Sequence, residues 1–148
     1  MRFLVTIILL SLISLKSIGQ LFEGEWSGTF ESNLYKFTNV TYSSPIKLYF
    51  KLNMDSSYTV YSYSKGQNSK GRDTTIVCRV EYTLIGKDSI YLEEVEILKP
   101  KKVAATCLQK MRLKIEQENN SFFLSGDWEA DSGQCGEGTI RFRKKKKK

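Results

Sequence analysis

Apolar and polar residues alternate with period two through most of the chain after residue 20, and this alternation constrains the fold more than any other feature. The clearest run, residues 46–52, places four apolar side chains on one side and Lys47 and Lys51 on the other. Such alternation is typical of a strand with one buried face and one wet face. Because no segment has the apolar period of an amphipathic helix, the sequence predicts an all-β domain.

The alternating segments predict about eight antiparallel strands, separated by stretches rich in Gly, Asn, Asp and Ser. Eight short strands must close into a barrel or stack as two sheets, since open sheet edges are unstable in water. We favour an up-and-down barrel over a β-sandwich, because aromatic residues such as Phe30 and Phe122 fall on inward phases and fill a small barrel. The predicted strands cover residues 22–31, 45–52, 57–64, 75–85, 89–98, 106–116, 121–129 and 138–143.

The first 19 residues have the layout of a cleaved secretory signal peptide. Arg2 gives a basic start, residues 3–15 are mostly apolar, and the small residues Ser17 and Gly19 end the segment. The apolar stretch is shorter than the roughly 20 residues that a membrane-spanning helix needs. We therefore expect cleavage near Gly19, a secreted or periplasmic location, one domain over residues 20–143 and a poly-lysine tail over residues 144–148.

The excess positive charge lies at the two ends of the chain. Of the 23 basic residues, Arg2 and Lys16 leave with the signal peptide and five form the tail, so the domain keeps 16 basic and 16 acidic residues. A neutral secreted domain has no distributed basic face, and we predict no nucleic-acid partner. The tail is either a solvated end or a segment that touches anionic surfaces.

The chain contains no histidine. This excludes Ser-His-Asp and Cys-His nucleophiles, imidazole acid–base catalysis and His-ligated metals within the chain. The alternate carboxylates of residues 127–131 have a spacing near that of a calcium loop, but Ser132 stands where the turn needs glycine. We predict no catalytic residue, no metal site and no cofactor. A carboxylate-dependent hydrolase is a weaker alternative, and its candidate pairs come from Glu93, Glu94, Glu96, Asp127 and Glu129.

Three cysteines occur in a chain that we expect to be exported, where disulfides form. Cys78 is in phase with the apolar residues of its strand, which predicts a buried small side chain. Cys107 begins a strand, and Cys135 lies in a glycine-flanked loop that can move to meet it. We predict a Cys107–Cys135 disulfide, with a stabilisation of about 3 to 4 kcal/mol in the chain-entropy view.

Two similar tripeptides carry the only tryptophans of the chain. Gly24-Glu25-Trp26 lies near the start of the first predicted strand, and Gly126-Asp127-Trp128 near the end of the seventh. Because the first strand of a closed barrel returns beside the last, we expect Trp26 and Trp128 to lie close together at one end. There they would form either a plug or a stacking surface for a ligand.

The Gly-X-Trp motif on the first strand, with an arginine on the last strand, resembles the calycins, the lipocalin-like group of barrels. Arg141 and Arg143 are the candidates for the arginine that covers the tryptophan. The resemblance implies a secreted barrel that binds a small apolar molecule. The chain from Thr106 to Arg141 also resembles a recurring ending of uncharacterised secreted proteins of Bacteroidetes-type bacteria, which supports the disulfide.

These features favour a secreted binding protein over an enzyme. In the leading interpretation the barrel holds a small apolar or amphipathic ligand, with Trp26, Trp128 and Arg141 as candidate contacts. The alternative is a protein-interaction or inhibitor module that uses the outer surface of a barrel filled by its own side chains. Its candidate contact residues are the aromatic side chains of Tyr49, Tyr58, Tyr61 and Tyr63.

Overall fold

The computed structural model describes residues 21–32, 42–103, 107–131 and 136–146. These residues form eight strands and no helix. The predicted signal peptide lies outside the described residues. The strands are β1 (Gly24–Ser32), β2 (Tyr42–Leu52), β3 (Tyr58–Gln67), β4 (Asp73–Ile85), β5 (Ser89–Lys99), β6 (Gln109–Glu118), β7 (Ser121–Ala130) and β8 (Glu137–Lys144).

The sheet closes on itself. Each strand pairs antiparallel with its neighbours in the sequence, and β1 also pairs with β8. This confirms the predicted up-and-down barrel of eight strands, and the β-sandwich alternative is wrong. Every strand therefore has a partner on both sides, although among the described residues β5 pairs with β6 only over residues 89–93.

The hairpin of β3 and β4 is longer than the predicted strands, which covered residues 57–64 and 75–85. β3 and β4 continue pairing as far as Gln67 and Asp73, because backbone hydrogen bonds do not require apolar side chains. The turn that follows Gln67 is held by Asn68, whose Oδ1 accepts hydrogen bonds of 2.9 and 3.1 Å from two backbone N–H groups of the turn. The side-chain pattern therefore underestimated the length of this hairpin.

Alternate residues of every strand point into the barrel and form one core. Several of them have no solvent-accessible surface. An empty space beside them that is large enough for a water molecule would give them accessible surface. This part of the interior is therefore filled by side chains. The residues with 0% exposure are Trp26, Leu48, Phe50, Ile90, Leu92, Leu124 and Phe142.

The two ends of the barrel differ. The β2–β3, β4–β5 and β6–β7 turns meet at one end, together with the start of β1 and the end of β8. Phe22 and Tyr58 close this end, because their rings pack on each other and on Phe50 with centroids 5.8 to 6.2 Å apart. We call it the plug end, and the opposite end, where β1 and β7 finish, the far end.

Glycines on the inward phase allow close approach between strands. A Cβ atom on Gly126 would lie 1.9 Å from the carbonyl oxygen of Arg112, and one on Gly138 would lie 1.9 Å from that of Glu31. No other residue type fits at such a distance. These two positions let β7 and β8 coil tightly around the core.

Candidate functional site

The two tryptophans lie at opposite ends of the barrel. β1 and β7 are both antiparallel to β8, so they run parallel to each other. Trp26 faces Lys144 on β8 whereas Trp128 faces Gly138, six positions away along that strand, or about 20 Å. The expectation that the two rings meet at one end is wrong. Trp26 lies near the start of β1, whereas Trp128 lies near the end of β7, which runs parallel to β1.

Trp26 is part of the plug. Its ring is fully enclosed, and its Nε1–H donates a hydrogen bond of 2.8 Å to the carbonyl oxygen of Phe22. Lys144 at the end of β8 places its Nζ 5.4 Å from the centroid of the Trp26 ring. The same ammonium donates a hydrogen bond of 2.6 Å to the carbonyl oxygen of Leu21. Trp26 thus has no surface for a ligand in this structure.

The cation that covers Trp26 is Lys144, and neither arginine of β8 takes that place. Arg141 lies on the outer wall, where it pairs with Glu118 at 2.8 Å and stacks 4.2 Å from the centroid of the Phe123 ring. Arg143 also points outward and donates a hydrogen bond of 3.1 Å to Ser121 Oγ. The reason is the strand period: the even-numbered residues of β8 point inward and the odd-numbered ones outward.

Trp128 is buried at the far end. Its ring packs against Phe30 with centroids 5.1 Å apart, and its Nε1–H donates a hydrogen bond of 3.0 Å to the carbonyl oxygen of Glu31. The ring reaches β1 by passing beside Gly138, where a Cβ atom would lie 3.1 Å from Nε1. Trp128 therefore joins β7 to β1 across β8.

A layer of polar side chains crosses the barrel interior on the far-end side of the apolar core. Glu94 is buried inside it, Ser62 Oγ donates a hydrogen bond to Glu94 Oε1, and the backbone N–H of Gln109 donates one of 2.9 Å to Oε2. Cys78 lies directly opposite Ser62 on the neighbouring strand. We call Ser62, Cys78, Glu94 and Gln109 the polar layer.

Burial governs the ionisation of this layer. It raises the pKa of Glu94, with a smaller contribution from the negative charge of Asp131, although the two donated hydrogen bonds act in the opposite direction. Burial and the neighbouring Glu94 raise the pKa of Cys78 to about 12. The in-phase series Ile90, Leu92 and Glu94 could have predicted this inward carboxyl, but we considered Glu94 only as a partner for catalysis.

The five carboxylates considered for a hydrolase do not converge. Glu93 and Glu96 point outward and pair with Lys110 at 3.3 Å and Arg79 at 3.1 Å, whereas Glu94 is inside. Asp127 and Glu129 are exposed on the outside of β7. The sheet separates Glu94 from the others. In the described part of the chain, no group of three His, Cys, Asp or Glu side chains is arranged to hold a metal.

The cysteine predictions have different outcomes. Cys78 is buried, as its strand phase predicted, and it is a free thiol. Cys135 lies outside the described residues. The Cys107–Cys135 disulfide therefore stays a prediction.

Tyrosines form a patch on the outside of β2 and β3. Tyr49 and Tyr61 are directly opposite each other, and Tyr63 follows on the same face of β3, opposite Lys47. Tyr49 is 41% exposed, and the other two tyrosines are half-buried. We call Tyr49, Tyr61 and Tyr63 the tyrosine face. Tyr58, which we had grouped with them, points inward and belongs to the plug.

The tyrosine face borders a shallow surface groove of about 790 Å³. Its lining includes Tyr49, Glu25, Phe122 and Lys145. A second groove of about 600 Å³ lies over β6, β7 and β8. Both are lined mainly by residues of the outer wall and the rim.

No protein family, curated protein or solved structure matches the chain in comparisons with known proteins. The described part of the chain contains no helix that is long and apolar enough to cross a membrane.

Proposed function

We propose that this chain is a secreted, non-catalytic binding protein that recognises a protein partner through its tyrosine face. The observation that carries the proposal is the outward-facing cross-strand pair of exposed Tyr49 and half-buried Tyr61 on the outer wall of a barrel with a filled core. Export rests on the signal-peptide pattern of residues 1–19.

The chemistry of the tyrosine face suits a protein interface. Tyrosine offers a large apolar ring and a polar hydroxyl, and few rotatable bonds are lost on binding. Aromatic residues and arginine are enriched at the centres of interfaces, and Arg79 lies directly opposite Tyr61 on β4. Because both strands belong to a closed barrel, the rings are held by a rigid sheet.

The packed core favours the outer wall over a ligand in the middle of the barrel. Leu48 and Phe50, which alternate with Tyr49 on β2, have no accessible surface. An apolar ligand at that level would have to displace close-packed side chains, which costs several kcal/mol. The outer face of the same strand needs no rearrangement.

The test is capture of partners by the mature protein from the extracellular or periplasmic fraction of its source. We expect Tyr49→Ser combined with Tyr61→Ser to reduce the captured partner at least tenfold, because interface tyrosines each contribute about 2 kcal/mol at hot spots. The matched control is Tyr91→Ser, which changes a half-buried tyrosine on the outside of β5. Equal capture by the double variant and the control would reject the tyrosine face.

A small ligand at the far end is the second candidate, and the polar layer is the observation that favours it. Gln109, whose backbone N–H donates to Glu94, has a buried carboxamide oxygen without a hydrogen-bond partner within the described residues. A ligand with an O–H or N–H group would supply the donor that this oxygen lacks. A native mass spectrum of the exported protein tests this, since a bound molecule adds mass that disappears on denaturation.

We also infer a lipocalin-like relationship from the plug end. Trp26 of the Gly-X-Trp motif is covered by a cation from the last strand, as the resemblance implies, although the cation is Lys144 where an arginine was expected. The antiparallel eight-stranded closed barrel is consistent with this relationship.

A further inference from the structure

A row of outward-facing side chains crosses β5, β6, β7 and β8 on the outer wall of the barrel. Tyr91 lies directly opposite Arg112, Arg112 opposite Asp127, and Asp127 opposite Thr139. The steps between neighbouring strands make this row about 14 Å long. All four residues line the second groove, which has a volume of about 600 Å³. We call Tyr91, Arg112, Asp127 and Thr139 the groove row.

The two charged side chains of the groove row are not engaged by their neighbours. Arg112 and Asp127 are both exposed and face each other across β6 and β7. Within the described part of the chain, neither side chain takes part in a hydrogen bond or an ion pair. Arg79 and Arg141 on the same outer wall differ, since they pair with glutamates at 3.1 and 2.8 Å. The guanidinium of Arg112 and the carboxylate of Asp127 are therefore available to a ligand from outside.

Both signs of charge lie close together in the groove. Its lining holds two cations, Lys110 and Arg112, and three carboxylates, those of Asp127, Glu129 and Glu137. Lys110 already pairs with a glutamate of β5 at 3.3 Å. An anionic ligand would meet the carboxylates, and a cationic ligand would meet the Arg112 guanidinium. The groove consequently favours a neutral ligand that both donates and accepts hydrogen bonds.

Tyr91 adds an aromatic surface at one end of the groove row. It is half-buried on the outer face of β5. An aromatic ring offers apolar contact to the C–H face of a ligand, and the phenol hydroxyl both donates and accepts hydrogen bonds. The planar groups of Arg112 and Asp127 each present two hydrogen-bonding atoms side by side, which matches two adjacent hydroxyl groups. A stacking ring beside a guanidinium, a carboxylate and the hydroxyl of Thr139 is complementary to a sugar.

We propose that the groove over β6, β7 and β8 binds a neutral oligosaccharide. The ring of Tyr91 stacks on the C–H face of one sugar. Arg112 donates hydrogen bonds to the hydroxyl groups of the next sugar, and Asp127 accepts hydrogen bonds from them. The groove shares no residue with the tyrosine face, so the inference stands independently of the proposed function.

Binding of the mature protein to an array of oligosaccharides tests the proposal. The array carries neutral oligosaccharides of glucose, galactose, mannose, xylose and N-acetylglucosamine, together with sulfated forms of the same sugars. We expect binding to a neutral oligosaccharide and weaker binding to its sulfated form. Arg112→Ala and Asp127→Ala should each reduce this binding by about tenfold or more, because hydrogen bonds that involve charged groups are the strong ones. Lys114→Ala is the matched control and should bind like the wild type, since it changes an exposed cation of β6 that does not line the groove.

Tyr91 allows a second test that separates the ring from the charges. Tyr91→Ser should reduce the binding by about tenfold, whereas Tyr91→Phe keeps the ring and should keep most of the binding. Because Tyr91→Ser leaves the tyrosine face unchanged, it should lose the oligosaccharide and still capture the protein partner. The two proposals can therefore fail separately. Near-UV circular dichroism confirms that each variant is folded.

Three results would overturn the proposal: no binding of the wild type to any neutral oligosaccharide, stronger binding to the sulfated forms, or wild-type binding by the Arg112→Ala and Asp127→Ala variants. Stronger binding to the sulfated forms would mean adsorption to charge. If no oligosaccharide binds and Arg112→Ala loses the captured protein partner, the groove belongs to a protein interface instead.

Discussion

The ammonium of Lys144 lies 5.4 Å above the ring of Trp26 and also donates a hydrogen bond to the carbonyl oxygen of Leu21. One side chain at the end of β8 thus joins the start of β1 to the segment that precedes it. The residues that close the plug end are far apart in the sequence, because closure of the barrel brings β8 beside β1.

We expect Lys144→Met to lower the free energy of unfolding by about 1 to 2 kcal/mol, because it removes a cation–π contact and a charged hydrogen bond but keeps the length of the stem. Urea denaturation followed by tryptophan fluorescence measures the change. Lys146→Met is the control, since Lys146 is exposed beyond the last strand. Equal stability of the two variants would contradict a role for Lys144 in the plug.

Gly138→Ala should lower the free energy of unfolding far more than a substitution near the start of a strand usually does. The added methyl group would lie 1.9 Å from the carbonyl oxygen of Glu31 and 3.1 Å from Trp128 Nε1, so β8 would have to move away from β1. We expect a loss of about 3 kcal/mol or more in thermal or urea unfolding. Thr139→Ala, at the adjacent exposed position, should change stability by less than about 0.5 kcal/mol. Similar losses for both variants would argue against the steric explanation.

The strands could be predicted from the sequence because the signal is local. Along β2 the alternation of Ile46, Leu48 and Phe50 with lysine and tyrosine indicates which face is buried. The aromatic residues on inward phases then favoured a closed barrel over two stacked sheets. The phase of Cys78 predicted its burial for the same reason.

The arrangement of the site could not be predicted in the same way, because it depends on relations between strands. The similarity of the two tripeptides suggested that Trp26 and Trp128 meet, yet strand direction places them at opposite ends. Arg141 was a candidate contact although the phase of β8 turns it outward, and only the register with β1 identifies Lys144 as the cation over Trp26. The alternation of apolar and polar residues thus indicates which face of each strand is buried, whereas the register between strands determines which side chains are in contact.

Glu94 should make stability depend on pH. Burial raises its pKa from an ordinary value of 4.5, so the folded state favours the protonated carboxyl. Its contribution to stability is complete below the unfolded pKa and is lost as the pH rises through the folded pKa. We therefore expect the wild type to lose unfolding free energy relative to Glu94→Gln as the pH rises from 4.5. The loss should be at most about 1.4 kcal/mol per pH unit.

Comparison with the variant isolates this effect. Glu25, Asp55 and Asp88 have lowered pKa values, so they add stability as the pH rises, and they do so equally in both proteins. Glu96→Gln is the control, because Glu96 is exposed and pairs with Arg79 on the outer wall. A constant difference between wild type and Glu94→Gln across the pH range would show that the carboxyl does not titrate inside the barrel.

The three cysteines should separate by their reaction with iodoacetamide. Cys78 should not react in the folded protein at pH 8, because the thiol is buried and its pKa is raised to about 12. Denaturation without reductant should allow one alkyl group to add, at Cys78, if Cys107 and Cys135 form the predicted disulfide. Reduction before alkylation should allow three. Peptide mass spectrometry identifies the modified residues. Alkylation of Cys107 or Cys135 without reductant would disprove the disulfide, and rapid alkylation of folded Cys78 would contradict a closed interior at the polar layer.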